Sequence, residues 1–393
     1  MPQLSFEFLL FTGVMVACFW RLPERARPPV LAVASSLFLM YWDVVSFGVL
    51  AVMTLAVHAG SGPRTGQDPN RRRLAWRIGL VALLLAFATV KGMDAFGERV
   101  GWAAFVVPLG FGFYTLKLIH YWVEVDLGDV ERPSPLCFYN YMLFFPTLLV
   151  GPIHRIEPFV RGERRRRWDP ELFADGLRRM LYGYAKVVVI ANYAVAHLLR
   201  GYLFGAAEPD TSWWVLCECL SYGLYLYFAF AGFSDIAIGV SKLFGQDVGE
   251  NFRYPFLQPN IAAFWRCWHI SLSDWCRRYV FTPALARWRN PSLAVVATMV
   301  AIGLWHEFTP RYVLWGFYHG AGLALHRVWA SHVGERFALP SSGLQGGVVR
   351  VVSTALTFAF VIVGFAITKN DSLVQTAADF ETLLFGGSGR DGT

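Results

Sequence analysis

Three histidines stand among aromatic and apolar neighbours: His269 in FWRCWHISLSDWCRRYVF (264–281), His306 in GLWHEF (303–308) and His319 in YVLWGFYHG (312–320). An imidazole whose ordinary pKa lies near 6.5 is largely neutral at pH 7, so it can take a proton from a hydroxyl and hand it on. Each ring alone also has a plainer reading, a neutral side chain hydrogen-bonded inside a core. Two on consecutive apolar segments, near Trp305 and Trp315, favour chemistry. Other chemistries lack their residues: no HExxH, paired-cysteine spacing or carboxylate cluster calls for a metal, and none is expected. No GxSxG turn argues for a serine nucleophile. Six cysteines, with Cys217 and Cys219 as the one close pair, read as small apolar fillers.

The elements that carry these histidines must lie in lipid. Of 393 residues 55% are hydrophobic and 16% charged, against roughly 25% charged in a soluble domain. Polar stretches are too short for a separate globular domain, so one integral membrane domain over 1–393 is expected. Apolar segments of nearly span length fall at 4–20, 28–42, 44–57, 74–90, 100–119, 136–153, 181–199, 213–234, 290–306, 311–326 and 351–368. The fold class is therefore all-α and polytopic, with about 11 transmembrane or re-entrant helices. The first twenty residues lack a basic leader and a small-residue cleavage site, and read as a retained span. From Lys369 the chain ends in GGSGRDGT, so 369–393 is expected to be a flexible tail.

Arginine sets the orientation. Arg21, Arg25 and Arg27 precede an apolar stretch of hairpin length, and Arg64, Arg71, Arg72 and Arg73 follow it, so both loops belong to the cytoplasm. The N-terminus is then extracytoplasmic. Putting RGERRRR (161–167) inside too requires one segment between 74 and 160 to be re-entrant; Pro146, Gly151 and Pro152 select 136–153. These runs serve as topology signals, and they also suit an acidic cytoplasmic partner. Nucleic acid is not expected, for no reading module is present.

If Asn290 and Pro291 mark the interface, a rise of 1.5 Å per residue carries His306 about 22 Å into the bilayer, and His319 lies about 12 Å from Arg311. Ionisable groups at such depth tend to mark function. Residues 264–281, set on one helix, place Trp265, Trp268, Leu272, Trp275 and Tyr279 on one stripe and Arg266, His269, Ser273 and Arg277 on another. That is a helix at the membrane interface, or one capping a polar funnel.

The stretches FFPTLLVGPIHR (144–155), YFAFAGFSDIAIGVSKLFG (227–245), ENFRYPFLQPNIAAFWRCWHISLSDWCRRYVFTP (250–283), GLWHEF and YVLWGFYHG together resemble the membrane-bound O-acyltransferase family. The resemblance is to the bacterial branch of alginate O-acetyltransferases and teichoic-acid D-alanyltransferases. It implies a ring of helices around a funnel or tunnel in a bacterial cytoplasmic (inner) membrane. It makes His306 the catalytic histidine and His269 the second. His319, Trp305, Arg266, Trp268, Ser271, Asn251 and Asp235 become candidates for lining the tunnel or binding the donor. Arg278 stands where the family usually has Asp, and Glu307 where it usually has Gly; the first bears on a local ion pair, the second on orienting His306 or narrowing the acceptor side.

The implied reaction moves an acyl group, acetyl first, from a cytoplasmic thioester (acetyl-CoA or an acyl-carrier protein) to a hydroxyl of an extracytoplasmic polysaccharide or envelope polymer. No cofactor stays bound. D-alanyl transfer from a carrier protein is the alternative within enzymes, and a second periplasmic or extracellular acyltransferase that finishes the transfer stays open as a partner. From another class, a flippase for lipid-linked sugars would show paired repeats, and no internal similarity is found.

Overall fold

The computed structural model describes residues 2–61, 68–100, 107–164, 166–205, 211–332 and 343–386, and these contain helices and no strand. Part of the second basic loop, with Arg64, Arg165 and the glycine-rich end therefore lie outside the described residues. The chain forms two compact units, 1–184 with 232–250, and 185–231 with 251–393.

The first unit begins with α1 (Phe6–Arg21), α2 (Arg27–Trp42), α3 (Val44–Gly60), α4 (Pro69–Val100) and α5 (Phe111–Leu127). Ser5 starts α1 by accepting the Phe8 N–H at 3.1 Å, and Asp43 starts α3 by accepting the N–H groups of Val45 and Ser46. The expected re-entrant segment does not run through as one helix. It divides into α6 (Pro135–Met142) and the single turn α7 (Phe145–Leu148), and non-helical backbone follows through Gly151 and Pro152. Proline removes a helical donor there, and Phe144, Phe145, Leu148 and His154 are all buried, so protein covers the irregular backbone. Next come the amphipathic α8 (Ile156–Arg164) and α9 (Pro170–Tyr184). Arg166, one of the basic run, is buried with its guanidinium 5.2 Å from the Phe19 ring, so it is a packing residue and not a docking one.

The second unit continues α9 as π-type helix over Ala185–Leu199, then α10 (Arg200–Gly205) and the outer part of α11 (Ser212–Leu243), whose last residues belong to the first unit. It ends with α12 (Ile261–Cys267), α13 (Ile270–Cys276), α14 (Thr282–Trp288), α15 (Pro291–His306), α16 (Pro310–His332), α17 (Gly343–Lys369) and α18 (Leu373–Phe385). The expected flexible tail thus carries a helix over 373–385, capped by Ser372 and tied to α17 where Lys369 Nζ lies 2.8 Å from Asp379.

Among the described residues four helices are long and apolar enough to cross a membrane, Arg73–Met93, Pro170–Gly205, Ser212–Leu243 and Gly343–Lys369, while Val44–Gly60 and Pro291–His306 are shorter apolar ones. A 16-residue helix is about 24 Å long, less than a hydrocarbon core of about 30 Å. His306 is the last residue of α15, one of these shorter helices.

Candidate active site

The α15–α16 hairpin is set by glycine. A Cβ on Gly303 would overlap the Tyr312 carbonyl, and one on Gly316 would overlap the Met299 carbonyl, so the two backbones touch. Asn290 fixes the start of α15 by accepting the Leu293 N–H at 3.0 Å, which leaves His306 as its last residue. His306 is exposed, stacks on Tyr312 at 5.8 Å and meets Trp315 edge-on at 5.8 Å.

Residues 264–281 do not form one helix. The chain breaks at Trp268–His269, where His269 takes a left-handed conformation with φ 44°. Asn251 holds the break: its carbonyl accepts the Ile270 N–H at 2.8 Å, and its Oδ1 accepts the Ser271 hydroxyl at 2.8 Å. The same Oδ1 lies 3.1 Å from His269 Nδ1. An amide oxygen only accepts, so His269 donates from Nδ1 and keeps its lone pair on Nε2. The periodic aromatic stripe is therefore real in sequence and split in space, and the single helix expected is replaced by a seven-residue helix, Ile261–Cys267, and a second that starts at Ile270 and runs on through π-type turns at Arg277–Phe281 into α14. Burial, and then the neighbouring His306, holds the His269 imidazole well below its ordinary pKa, which keeps it neutral.

His269, His306 and His319 line one cavity of about 130 Å³, together with Trp265, Trp268, Trp315, Phe230, Tyr222 and others. Trp305 bridges two of them, its ring 6.1 Å from His269 and 4.8 Å from His306. His319 is buried 5.3 Å from Trp265. The Trp265 Nε1 and His319 Nδ1 atoms are buried without a hydrogen-bond partner among the described residues. Buried polar atoms left this way are costly and suit a polar ligand. Two larger cavities each share a wall with the chamber: one of about 480 Å³ behind Trp265, lined by Arg266, Asp274 and Arg277, and one of about 350 Å³ behind Tyr222.

Of the residues named from sequence, His306, His269, His319, Trp305, Trp268, Ser271 and Asn251 therefore gather in or directly beside the chamber. Arg266 is exposed and faces the cavity behind Trp265 instead. Asp235 belongs to the first unit, where it accepts from Arg179 Nε at 2.7 Å. Glu307 accepts from Arg311 at 2.7 Å, and the Arg278 guanidinium lies 5.9 Å from the Tyr279 ring. Sequence reasoning missed Tyr222 and Phe230 as chamber walls. Their signal was available, since Tyr222, Leu226 and Phe230 recur every four residues on one face of α11.

Residues 106–365 match the profile of the MBOAT, membrane-bound O-acyltransferase family. The chain belongs to that family. "Probable alginate O-acetylase AlgI" of Pseudomonas aeruginosa is 30% identical over 400 residues, covering 95% of this chain and 73% of that protein. "Teichoic acid D-alanyltransferase" of Bacillus subtilis is 30% identical over 277 residues, 66% of this chain and 68% of the relative. "Peptidoglycan O-acetyltransferase" of Helicobacter pylori is 26% identical over 379 residues, 84% of this chain and 68% of the relative. As an MBOAT acyltransferase the chain is a multi-pass membrane enzyme, and its relatives are named for polymers of the cell envelope or an exported polysaccharide.

Proposed function

We propose that this MBOAT protein moves an acetyl group from a cytoplasmic thioester to a hydroxyl of an extracytoplasmic polysaccharide or envelope polymer, with the whole chain acting as one domain in the bacterial cytoplasmic membrane. The single observation that carries the reading is the three-histidine chamber, which shares Trp265 as a wall with one larger cavity and Tyr222 with another.

Arg277, Arg278, Arg287 and Arg289 precede the start of α15, so the positive-inside rule assigns that end and the Trp265 side to the cytoplasm. The His306 end and the Tyr222 side then face outward, and the N-terminus is extracytoplasmic. The thioester arrives past Trp265 and the hydroxyl past Tyr222. His306 takes the hydroxyl proton as the oxygen attacks the thioester carbonyl carbon, forming the new C–O bond. The Trp265 Nε1–H is the donor at hand for the carbonyl oxygen as it gains charge. Collapse breaks the C–S bond, and the thiolate recovers the proton from His306. His269, fixed by Asn251, holds its neighbour's orientation through Trp305. The donor is acetyl-CoA or an acyl-carrier thioester; an acidic carrier would dock on the cytoplasmic arginines.

D-alanyl transfer has a relative of equal identity in its favour, but that match covers 66% of the chain against 95% for the acetylase. Purified protein given radiolabelled acetyl-thioester, D-alanyl-carrier thioester and polymer oligomers decides among the readings. Acetyl label appearing on oxygen is expected; alanyl label alone favours the alternative, and movement of acceptor without use of donor identifies a transporter.

A further inference from the structure

Away from the histidine chamber, α16 and α17 enclose a groove of about 460 Å³ whose third wall is the chain at 259–261. Gly322, His326 and Trp329 line it from one helix, and Ser353, Thr357 and Phe360 from the other; successive spacings of four and three keep each trio on a single face. Leu325, Val352 and Leu356 beside them are exposed, so the surface around the groove is apolar. Its polar groups are not used up by the fold. Among the described residues neither the His326 ring nor the Ser353 hydroxyl makes a hydrogen bond, and Thr357 donates only to the Ser353 carbonyl.

Charge selects the ligand. The segments 255–273, 310–332 and 343–369 supply the walls and hold no Asp or Glu. At one end of the helix pair the cations are answered, Arg311 by Glu307 and Lys369 by Glu218 and Asp379. At the other end stand Arg327 and Arg350, exposed and, among the described residues, without a carboxylate partner. Arg266, which faces the neighbouring cavity, is near enough for its charge to act on His326. Uncompensated cations beside an apolar groove between two helices of a membrane protein match an anionic phospholipid, with acyl chains on the apolar surface and phosphate on imidazole and hydroxyl donors. We propose that this groove binds one anionic phospholipid from the leaflet at the Arg327 and Arg350 end, its phosphate held by His326 and Ser353 in the field of Arg266. The positive-inside rule makes that leaflet the cytoplasmic one. Phe360 links the groove to the chamber: its ring lies edge-on 5.6 Å from His319 and stacked 4.4 Å from Tyr318, and a Cβ on Gly322 would come within 2.5 Å of it. A seated lipid thus backs the aromatic wall behind His319, and its binding does not depend on the acyl-transfer reading.

The test uses the full chain in an uncharged detergent with a photoreactive phosphatidylglycerol, and unlabelled phosphatidylglycerol, phosphatidylcholine and glycerol phosphate as competitors. Cross-links are expected on peptides covering 322–329 and 353–360. Phosphatidylglycerol should displace the probe about fivefold or more effectively than zwitterionic phosphatidylcholine, the factor that one cation near a lipid headgroup provides. Combining His326→Leu with Arg266→Gln should bring the two displacement curves together, and Ser353→Trp, which fills the groove, should abolish labelling of both peptides. Melting midpoints show that the variants are folded; should either fail to fold, competition on the unaltered chain decides by itself. Equal displacement by the two lipids overturns the proposal. So do cross-links confined to other peptides, or a preference that survives the double substitution. Displacement by glycerol phosphate as effective as by phosphatidylglycerol also overturns it, since the site would then hold a free anion and not a lipid.

Discussion

The two units of this protein each bury histidines, in opposite company. In the first, His120 Nε2 lies 3.4 Å from Glu157 and its Nδ1 4.0 Å from Glu124. Lys117 on the same helix donates to the Met142 carbonyl at 3.1 Å and sits 4.8 Å from the Tyr141 ring. His154 is stacked on Phe159 at 5.4 Å, and its Nδ1 lies 3.3 Å from the Thr147 hydroxyl. In the second, three imidazoles and several indoles surround an open volume, and no carboxylate is among its described lining residues. Burial is common to His120 and His154 in the first unit and to His269 and His319 in the second, so burial does not distinguish the groups. Ionisable groups that answer one another stabilise a fold; imidazoles that face unfilled space can meet a substrate.

The contrast is tested most severely at His306. His306→Ala should lower acyl transfer by about 10²- to 10⁴-fold, the range for losing a general base. Its thermal midpoint should stay close to wild type, because the ring is exposed and little packing is lost. Labelled transfer and a detergent melting curve check both halves; activity within tenfold of wild type would remove His306 as the base.

The first unit should respond the other way. His154→Ala empties a site enclosed by Tyr141, Phe144 and Phe159, which should cost about 2 to 4 kcal/mol as for other large-to-small changes in a core. Transfer per folded molecule should remain within about twofold of wild type, the margin of a change that leaves transition-state contacts alone. Melting midpoints and specific activity of the monodisperse fraction decide this. A stable but inactive His154→Ala protein would erase the distinction between the two groups.

What could be read without coordinates follows from where local signals suffice. Asn290 and Pro291 mark a helix start, and the structure begins α15 there, with His306 as its last residue. The break at His269 could not be read this way. Residues 264–281 contain no Gly or Pro and keep an unbroken periodicity; the interruption comes from Asn251, eighteen residues away, taking over N–H groups that a helix would use. Asp235 shows the same limit, because a motif groups residues by chain order while its partner Arg179 is 56 positions distant. The 373–385 helix carries a local signal of its own, since Ser372 accepts the Gln375 N–H at 3.2 Å as an ordinary N-cap.

The smallest effect expected distinguishes how His269 acts from whether it is present. Its role here is to be held, neutral and with its Nε2 lone pair available, by an oxygen that also accepts from Ser271. Asn251→Asp keeps an acceptor at that place, and Asn251→Leu, similar in size, removes it. Losing the contact should lower kcat about tenfold, in line with one hydrogen bond of roughly 1.5 kcal/mol, while KM for the thioester changes little; Asn251→Asp should retain most of the rate. The variants also differ with pH. Because burial keeps the folded-state pKa of His269 below its unfolded value, the unfolded chain binds the proton first, and stability is lost as pH falls through the ordinary histidine range. His269→Gln should flatten that part of the melting-temperature profile between about pH 7 and 5. If Asn251→Leu and Asn251→Asp were equally slow, the anchoring oxygen would have no part in the rate, and His269 would belong with the packed histidines of the first unit.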